Sequence, residues 1–173
     1  TGTLILTVAT TVPANTPCAI TFTLTNPSSN LTSPAVSVHA ALTDGSSSIG
    51  SIASAAMVKP GTAVSGVANG ADPLTVVVPT FSTKTIQQST PASDASNLMT
   101  VTLTANYDLM TGGPAGSNAT VTITGLAGSE TASSSSLAVT TCANNSLGTS
   151  GSWNNTGTLI LTVATTVPAN TPC

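Results

Sequence analysis

Apolar and hydroxyl-bearing residues alternate along much of this chain. The alternation is strict in Ile20-Thr21-Phe22-Thr23-Leu24-Thr25, and it returns in Val36–Ala40, Val101–Thr104 and Val121–Thr124. A period of two sends successive side chains to opposite faces, so each run predicts a strand with one apolar face turned inward. Threonine suits the outward face because its branched Cβ favours extended backbone. Less regular runs predict further strands over 51–58, 74–79, 81–86, 136–141 and 158–164, which brings the expected total to about nine. No apolar stripe with a 3.6-residue period predicts a helix. Turn residues punctuate the runs at Asn26-Pro27, Asp44-Gly45, Lys59-Pro60-Gly61, Asn69-Gly70, Gly112-Gly113-Pro114 and Gly125. Many short strands between Gly/Pro turns predict an all-β, antiparallel β-sandwich. Aromatics are few (Phe22, Phe81, Tyr107 and Trp153), so the core is expected to be Val, Leu, Ile and Ala. By alternation Phe22 points inward, and Trp153 packs at a core or an edge.

One of these runs occurs twice. Residues 1–18, Thr-Gly-Thr-Leu-Ile-Leu-Thr-Val-Ala-Thr-Thr-Val-Pro-Ala-Asn-Thr-Pro-Cys, return unchanged at 156–173, a period of 156 − 1 = 155 residues. That period is the size of a domain and far exceeds the 20–50 residues of small solenoid units. Each repeat is therefore expected to own a core, as beads do. The division that follows is 1–18, an end segment equivalent to 156–173 that carries the junction strand, turn and Cys of the preceding repeat, and 19–173, one β-sandwich repeat. Alternative frames place the true boundary in 59–73 or 80–96, and Gly61–Pro73 is the best candidate for a linker or long crossover. A chain cut from such an array is expected to have neighbours, and any secretion signal would lie upstream.

Composition changes the picture most through what it lacks. Charged residues are 4% of the chain, with Lys59 and Lys84 the only basic side chains and a net charge of −3. An ordinary soluble domain carries roughly 25%. No basic patch exists, so nucleic acid and anionic membranes are not expected partners. No run of 18 apolar residues predicts a membrane span. Hydration must come from elsewhere, and the chain holds 34 Thr and 23 Ser. Four Asn-x-Ser/Thr sequons, at Asn30, Asn118, Asn144 and Asn154, are candidate N-glycosylation sites. Thr-Pro or Ser-Pro steps at Pro17, Pro34, Pro91 and Pro172 add the composition of O-glycosylated stalks. Covalent glycans and other copies of the repeat are the expected partners.

Each repeat holds two cysteine positions, Cys142 and the equivalent pair Cys18/Cys173. An even number suits a disulfide in an oxidising, extracellular setting. Cys142–Cys173 would close 173 − 142 = 31 positions and leave Cys18 to the Cys142 counterpart of the preceding repeat. Cys18–Cys142 would close 142 − 18 = 124. The short loop is favoured, because a hairpin can carry both its ends. Free buried thiols are the remaining alternative.

Catalytic chemistry finds no foothold. The one histidine, His39, sits on the outward face of an alternating strand with no acid nearby in sequence. The acids Asp44, Asp72, Asp94, Asp108 and Glu130 are scattered, with no glycosidase pair or calcium loop among them. Cys-x-x-Cys and phosphate-binding glycine fingerprints are absent, so no cofactor or metal is expected. Lys84 and Glu130 are the only participants available for a Lys–Asn cross-link catalysed by a buried acid, and a solvated Lys84 is the simpler expectation.

The runs Asn97–Leu109, Ala119–Leu126, Gly151–Trp153, Gly157–Val163 and Phe22–Pro27 together resemble the repeat modules of very long, Thr-rich extracellular proteins of microalgae, other protists and some bacteria. The resemblance covers most of the repeat, although alternation and turns account for much of it. It implies an extracellular or cell-surface, immunoglobulin-like sandwich and brings no catalytic residues. The expected function is a structural one: a non-enzymatic subunit of an extracellular glycoprotein fibril or surface appendage. The alternative is a repeat stalk or carbohydrate-binding module of a cell-surface adhesin.

Overall fold

The computed structural model describes residues 2–44, 47–113 and 116–173. Thr1, Gly45, Ser46, Pro114 and Ala115 lie outside the described residues, and with them most of the expected Asp44-Gly45 turn and the Pro114 end of the Gly112-Gly113-Pro114 turn. Among the described residues eight strands are present: β1 (Ser37–Asp44), β2 (Ser47–Ala56), β3 (Phe81–Gln88), β4 (Met99–Ala105), β5 (Thr120–Ile123), β6 (Ser134–Ala138), β7 (Ser150–Asn154) and β8 (Thr158–Thr162). One 3-10 turn, Ala143–Asn145, precedes β7. The fold of the described residues is all-β and antiparallel throughout. Among them no helix is long and apolar enough to cross a membrane.

The strands form three sheets. β1 and β2 make a hairpin, β3 and β4 make a second, and β5-β8-β7-β6 form a four-stranded sheet in that order. β8 is thus an interior strand, with Val121 opposite Leu161 on one side and Ser152 opposite Ile160 on the other. The core lies on this sheet, in Val121, Leu147, Leu161, Val163 and Val167. Phe81 of β3 and Leu103 of β4 pack against it, while the rest of β3 is exposed. Trp153 is buried on β7, and its indole N–H donates to the Thr131 carbonyl at 3.0 Å.

The hairpin β1–β2 stands differently. Every side chain of β2 is exposed, including Ile49 and Ile52. Its apolar residues have the strand pattern but no covering layer.

Three expectations differ from the structure. Residues 74–79 form no strand, only the single bridge Leu31–Val76. Pro73 precedes this stretch and Pro79 ends it, neither can donate to a ladder, and Leu74 takes a positive φ of 57°. The run Ile20–Thr25 is unpaired, and Phe22, expected to point inward, is exposed. Alternation specifies a strand face but not the partner that must cover it. Conversely β7 has no counterpart among the expected strands, because Ser-Gly-Ser-Trp-Asn has one strong strand former. Its signal was Gly151 alternating with Trp153, the two buried positions of the strand. A Cβ at Gly151 would come within 2.7 Å of Leu161 Cδ2, so the close approach of β8 requires glycine there. Gly61–Pro73, the candidate linker or long crossover, carries hydrogen bonds of its own. Gly61 N–H donates to Asp72 Oδ1 at 2.8 Å and Ala71 N–H to the Thr62 carbonyl at 3.1 Å, which fold the stretch on itself.

Candidate functional site

The two identical 18-residue segments occupy opposite environments. In 156–173, a turn at Asn154–Gly157 leads into β8, and the segment then crosses the molecule. Val163 N–H donates to the Ala119 carbonyl at 2.9 Å, and Ala164 N–H to the Ser146 carbonyl at 2.7 Å. Val167 and Leu109 exchange two bonds of 3.0 Å. Ala169 N–H donates to Asp108 Oδ1 at 2.7 Å, and Cys173 and Leu103 exchange bonds of 2.8 and 2.7 Å. This one segment therefore ties β5, β7, the 105–111 loop and β4 together.

Its copy at 1–18 makes none of these bonds. Among its described residues the one backbone bond is Thr16 N–H to the Pro13 carbonyl, 3.3 Å, the same turn that Thr171 and Pro168 close at 3.2 Å. The matched side chains measure the contrast. Leu161 is 6% exposed and Leu6 57%; Val163 is 0% and Val8 71%; Val167 is 5% and Val12 49%. Since the two sequences are identical, neither propensity nor pattern can explain the difference. What differs is the presence of β5, β7 and the 105–111 loop around one copy.

The cysteines follow the same division. A disulfide joins Cys142 to Cys173, with Cα atoms 4.5 Å apart, inside the usual range for a bridge. Cys18 is free and exposed. The 3-10 turn Ala143–Asn145 starts immediately after Cys142, and Asn145 N–H donates to the Cys142 carbonyl at 2.9 Å.

All four sequon asparagines are exposed. In three of them the side-chain oxygen is engaged by a backbone N–H: Asn30 Oδ1 by Val78 at 2.6 Å, Asn118 Oδ1 by Gly112 at 3.0 Å and Asn154 Oδ1 by Thr156 at 2.9 Å. Each of these bonds holds the side-chain oxygen on a residue that is itself exposed. Asn144 sits in the 3-10 turn with φ 63°, beside the disulfide.

Four of the ionisable side chains, Lys59, Asp72, Lys84 and Asp108, bond to backbone groups. Asp72 and Asp108 accept from Gly61 and Ala169 N–H groups, and Asp108 with Gly66 fastens the loop against residue 169. Lys59 Nζ donates to the Ser33 carbonyl at 3.0 Å, and Lys84 Nζ to the Phe81 carbonyl at 3.2 Å with its side chain exposed. His39 and Glu130 are exposed. Among the described residues no three His, Cys, Asp or Glu side chains group so as to hold a metal ion. Asp108 and Gly157 escaped the sequence reading. The clue to Gly157 was its place between Asn154-Asn155-Thr156 and the apolar run that follows. Comparison of the chain with protein-family models, with curated proteins and with solved structures finds no match.

Proposed function

We propose that this chain is a structural unit of an extracellular glycoprotein fibril or surface appendage, built from tandem repeats and without catalytic chemistry. Each repeat is an immunoglobulin-like sandwich of about nine strands. Residues 1–18 of one repeat serve the preceding one as 156–173 serve this one. They supply its interior strand, its Pro-containing turn and the cysteine that bonds the preceding copy of Cys142.

The observation that carries this reading is the exposure of Leu6, Val8, Val12 and Cys18 beside the burial of their identical counterparts. An apolar strand with a free thiol is costly in water, and its partner is already specified by the other copy. Consecutive units then share a strand and a covalent cross-link, so tension along the array meets a paired sheet before it meets a loop. The disulfide fits an oxidising, extracellular compartment. Glycans on Asn30, Asn118, Asn144 and Asn154 supply the hydration that 4% charged residues do not.

A reducing, denaturing gel of the native material tests the covalent array. The expected species is many times one repeat in mass, and a single band near one repeat overturns it. Electron microscopy is expected to show filaments with one axial step common to all repeats; a flexible single chain ending in a distinct tip would favour the adhesin stalk instead. Peptide-N-glycosidase treatment is expected to reduce the mass and convert sequon Asn to Asp. Four unmodified asparagines would remove the glycoprotein part of the proposal.

A further inference from the structure

We infer that Ala19–Thr25 of each unit adds as a further strand to the open edge of β4 in the preceding unit. This rests on the tandem-array reading and extends it, by naming a second pairing surface with its register.

The register comes from the end of the duplicated segment. Leu103 of β4 and Cys173 exchange both backbone bonds, at 2.8 and 2.7 Å, so they are a directly bonded antiparallel pair. On the opposite side, Ser89 N–H donates to the Leu98 carbonyl at 3.0 Å, in register with β3. Bonding alternates along a strand, so the even-numbered residues of β4 face β3. Leu103, Val101 and Met99 therefore turn their N–H and C=O groups to the other edge. Among the described residues β4 has a strand on one side only. Cys173 covers Leu103, while the backbone groups of Val101 and Met99 face outward beyond it.

In the array, the residue that follows the Cys173 position is the counterpart of Ala19, because 156–173 repeats 1–18 and Cys18 is followed by Ala19. Each two-residue step along the incoming strand moves two residues back along β4. Ile20 then falls opposite Val101, and Phe22 opposite Met99. Opposite residues share a face, and here it is the face on which Leu103 and Cys173 pack against the core. Ile20 and Phe22 would cover Met99 and, one strand further, Ile86, all of them exposed in the single unit. Thr21 meets Thr100 on the outer face. A slip of one residue would reverse every one of these matches, so the alternating pattern itself selects this register.

The occupant is the following unit's segment and not the chain's own. Its own Ala19 follows Cys18, which is free and exposed, whereas the strand must continue from a cysteine in the Cys173 position. Leu31 bridges Val76 in its own unit. Thr25 and Leu31 are six residue steps apart, at most about 20 Å of extended chain. Adjacent units therefore abut, and the ladder of one runs directly into the next.

The test compares the 173-residue chain with the same chain lengthened after Cys173 by a second copy of residues 19–30. Amide hydrogen exchange is read at Met99 and Val101, with Thr100 and Thr102, which bond β3, as internal controls. The expected result is exchange slowed by about tenfold or more at Met99 and Val101, well beyond any change at the controls. Ile20→Pro in the appended copy removes the N–H that the Val101 carbonyl needs and is expected to abolish the protection. Unchanged exchange at Met99 and Val101, or protection that survives the proline, overturns the inference. Neither result touches the covalent array, which stands or falls on the mass of the native species.

Discussion

The duplication provides an experiment with its own control: Val163→Ala and Val8→Ala alter the same residue in the same 18-residue sequence. Val163 is fully buried, donates its N–H to Ala119, and lies at the centre of the cluster with Val121, Leu147, Leu161 and Val167. Truncation removes the equivalent of two methylene groups, about 1.6 kcal/mol of transfer free energy at ~0.8 kcal/mol each. The cavity left in a core that relaxes only in part brings the expected cost to about 2–3 kcal/mol. Val8 is 71% exposed, so its truncation is expected to cost less than about 0.5 kcal/mol. Intrinsic strand propensity changes equally in both variants and cancels in the comparison. Urea unfolding can be followed by the fluorescence of Trp153, the only tryptophan and a buried one. For a chain of this length the difference corresponds to roughly 4–12 °C in midpoint temperature. Equal effects of the two variants, or a cost below about 1 kcal/mol at Val163, would refute the assignment of 156–173 to the core and 1–18 to the surface.

The remaining expectations concern the same segment. Cys142→Ser, or reduction of the wild-type chain, opens a loop of 31 positions and is expected to cost about 3–4 kcal/mol, whereas Cys18→Ser leaves the unfolding midpoint unchanged; a non-reducing peptide map should recover the Cys142–Cys173 linkage. Gly157 has φ +98°, and a Cβ there would run into the Leu126–Ala127 backbone, while nothing lies within 4 Å of Gly2. Gly157→Ala is therefore expected to destabilise by about 1–3 kcal/mol and Gly2→Ala to be neutral, as read by urea unfolding. Trp153→Phe leaves the Thr131 carbonyl without its 3.0 Å partner and should cost about 1–3 kcal/mol, followed by circular dichroism because the fluorophore is gone.

Much of the architecture was legible because it is local. Alternation located β4 and β5 to within a residue or two of their observed bounds, and the start of β1 to within one, although β1 runs four residues past the expected Ala40. The less regular runs 81–86 and 158–164 located β3 and β8. The failures share a cause. The 74–79 run was apolar enough for a strand, but Pro73 and Pro79 decide otherwise. β7 is a strand only because Leu161 closes over Gly151 and the Trp153 indole reaches Thr131. Asp108 acts 61 residues away on Ala169, a distance no sequence window spans.

The duplicated segment separates the two kinds of information most clearly. Its turn forms in both copies: Asn15 has φ 61° and Asn170 φ 60°, and the closing bond runs from Thr16 to Pro13 and from Thr171 to Pro168. Proline fixes one dihedral, asparagine tolerates the left-handed region, and the bond spans three residues, so the sequence alone determines that turn. The strand before it forms once. A lone strand leaves its backbone donors and acceptors to water and gains nothing from its apolar face. Only β5 and β7 on either side, with the Leu147 and Val167 cluster beneath, turn Thr-Leu-Ile-Leu-Thr into β8. Sequence determined the turn and the identity of the strand, and tertiary structure decided which copy became one, because sheet hydrogen bonds and apolar burial both require a partner that the segment does not contain.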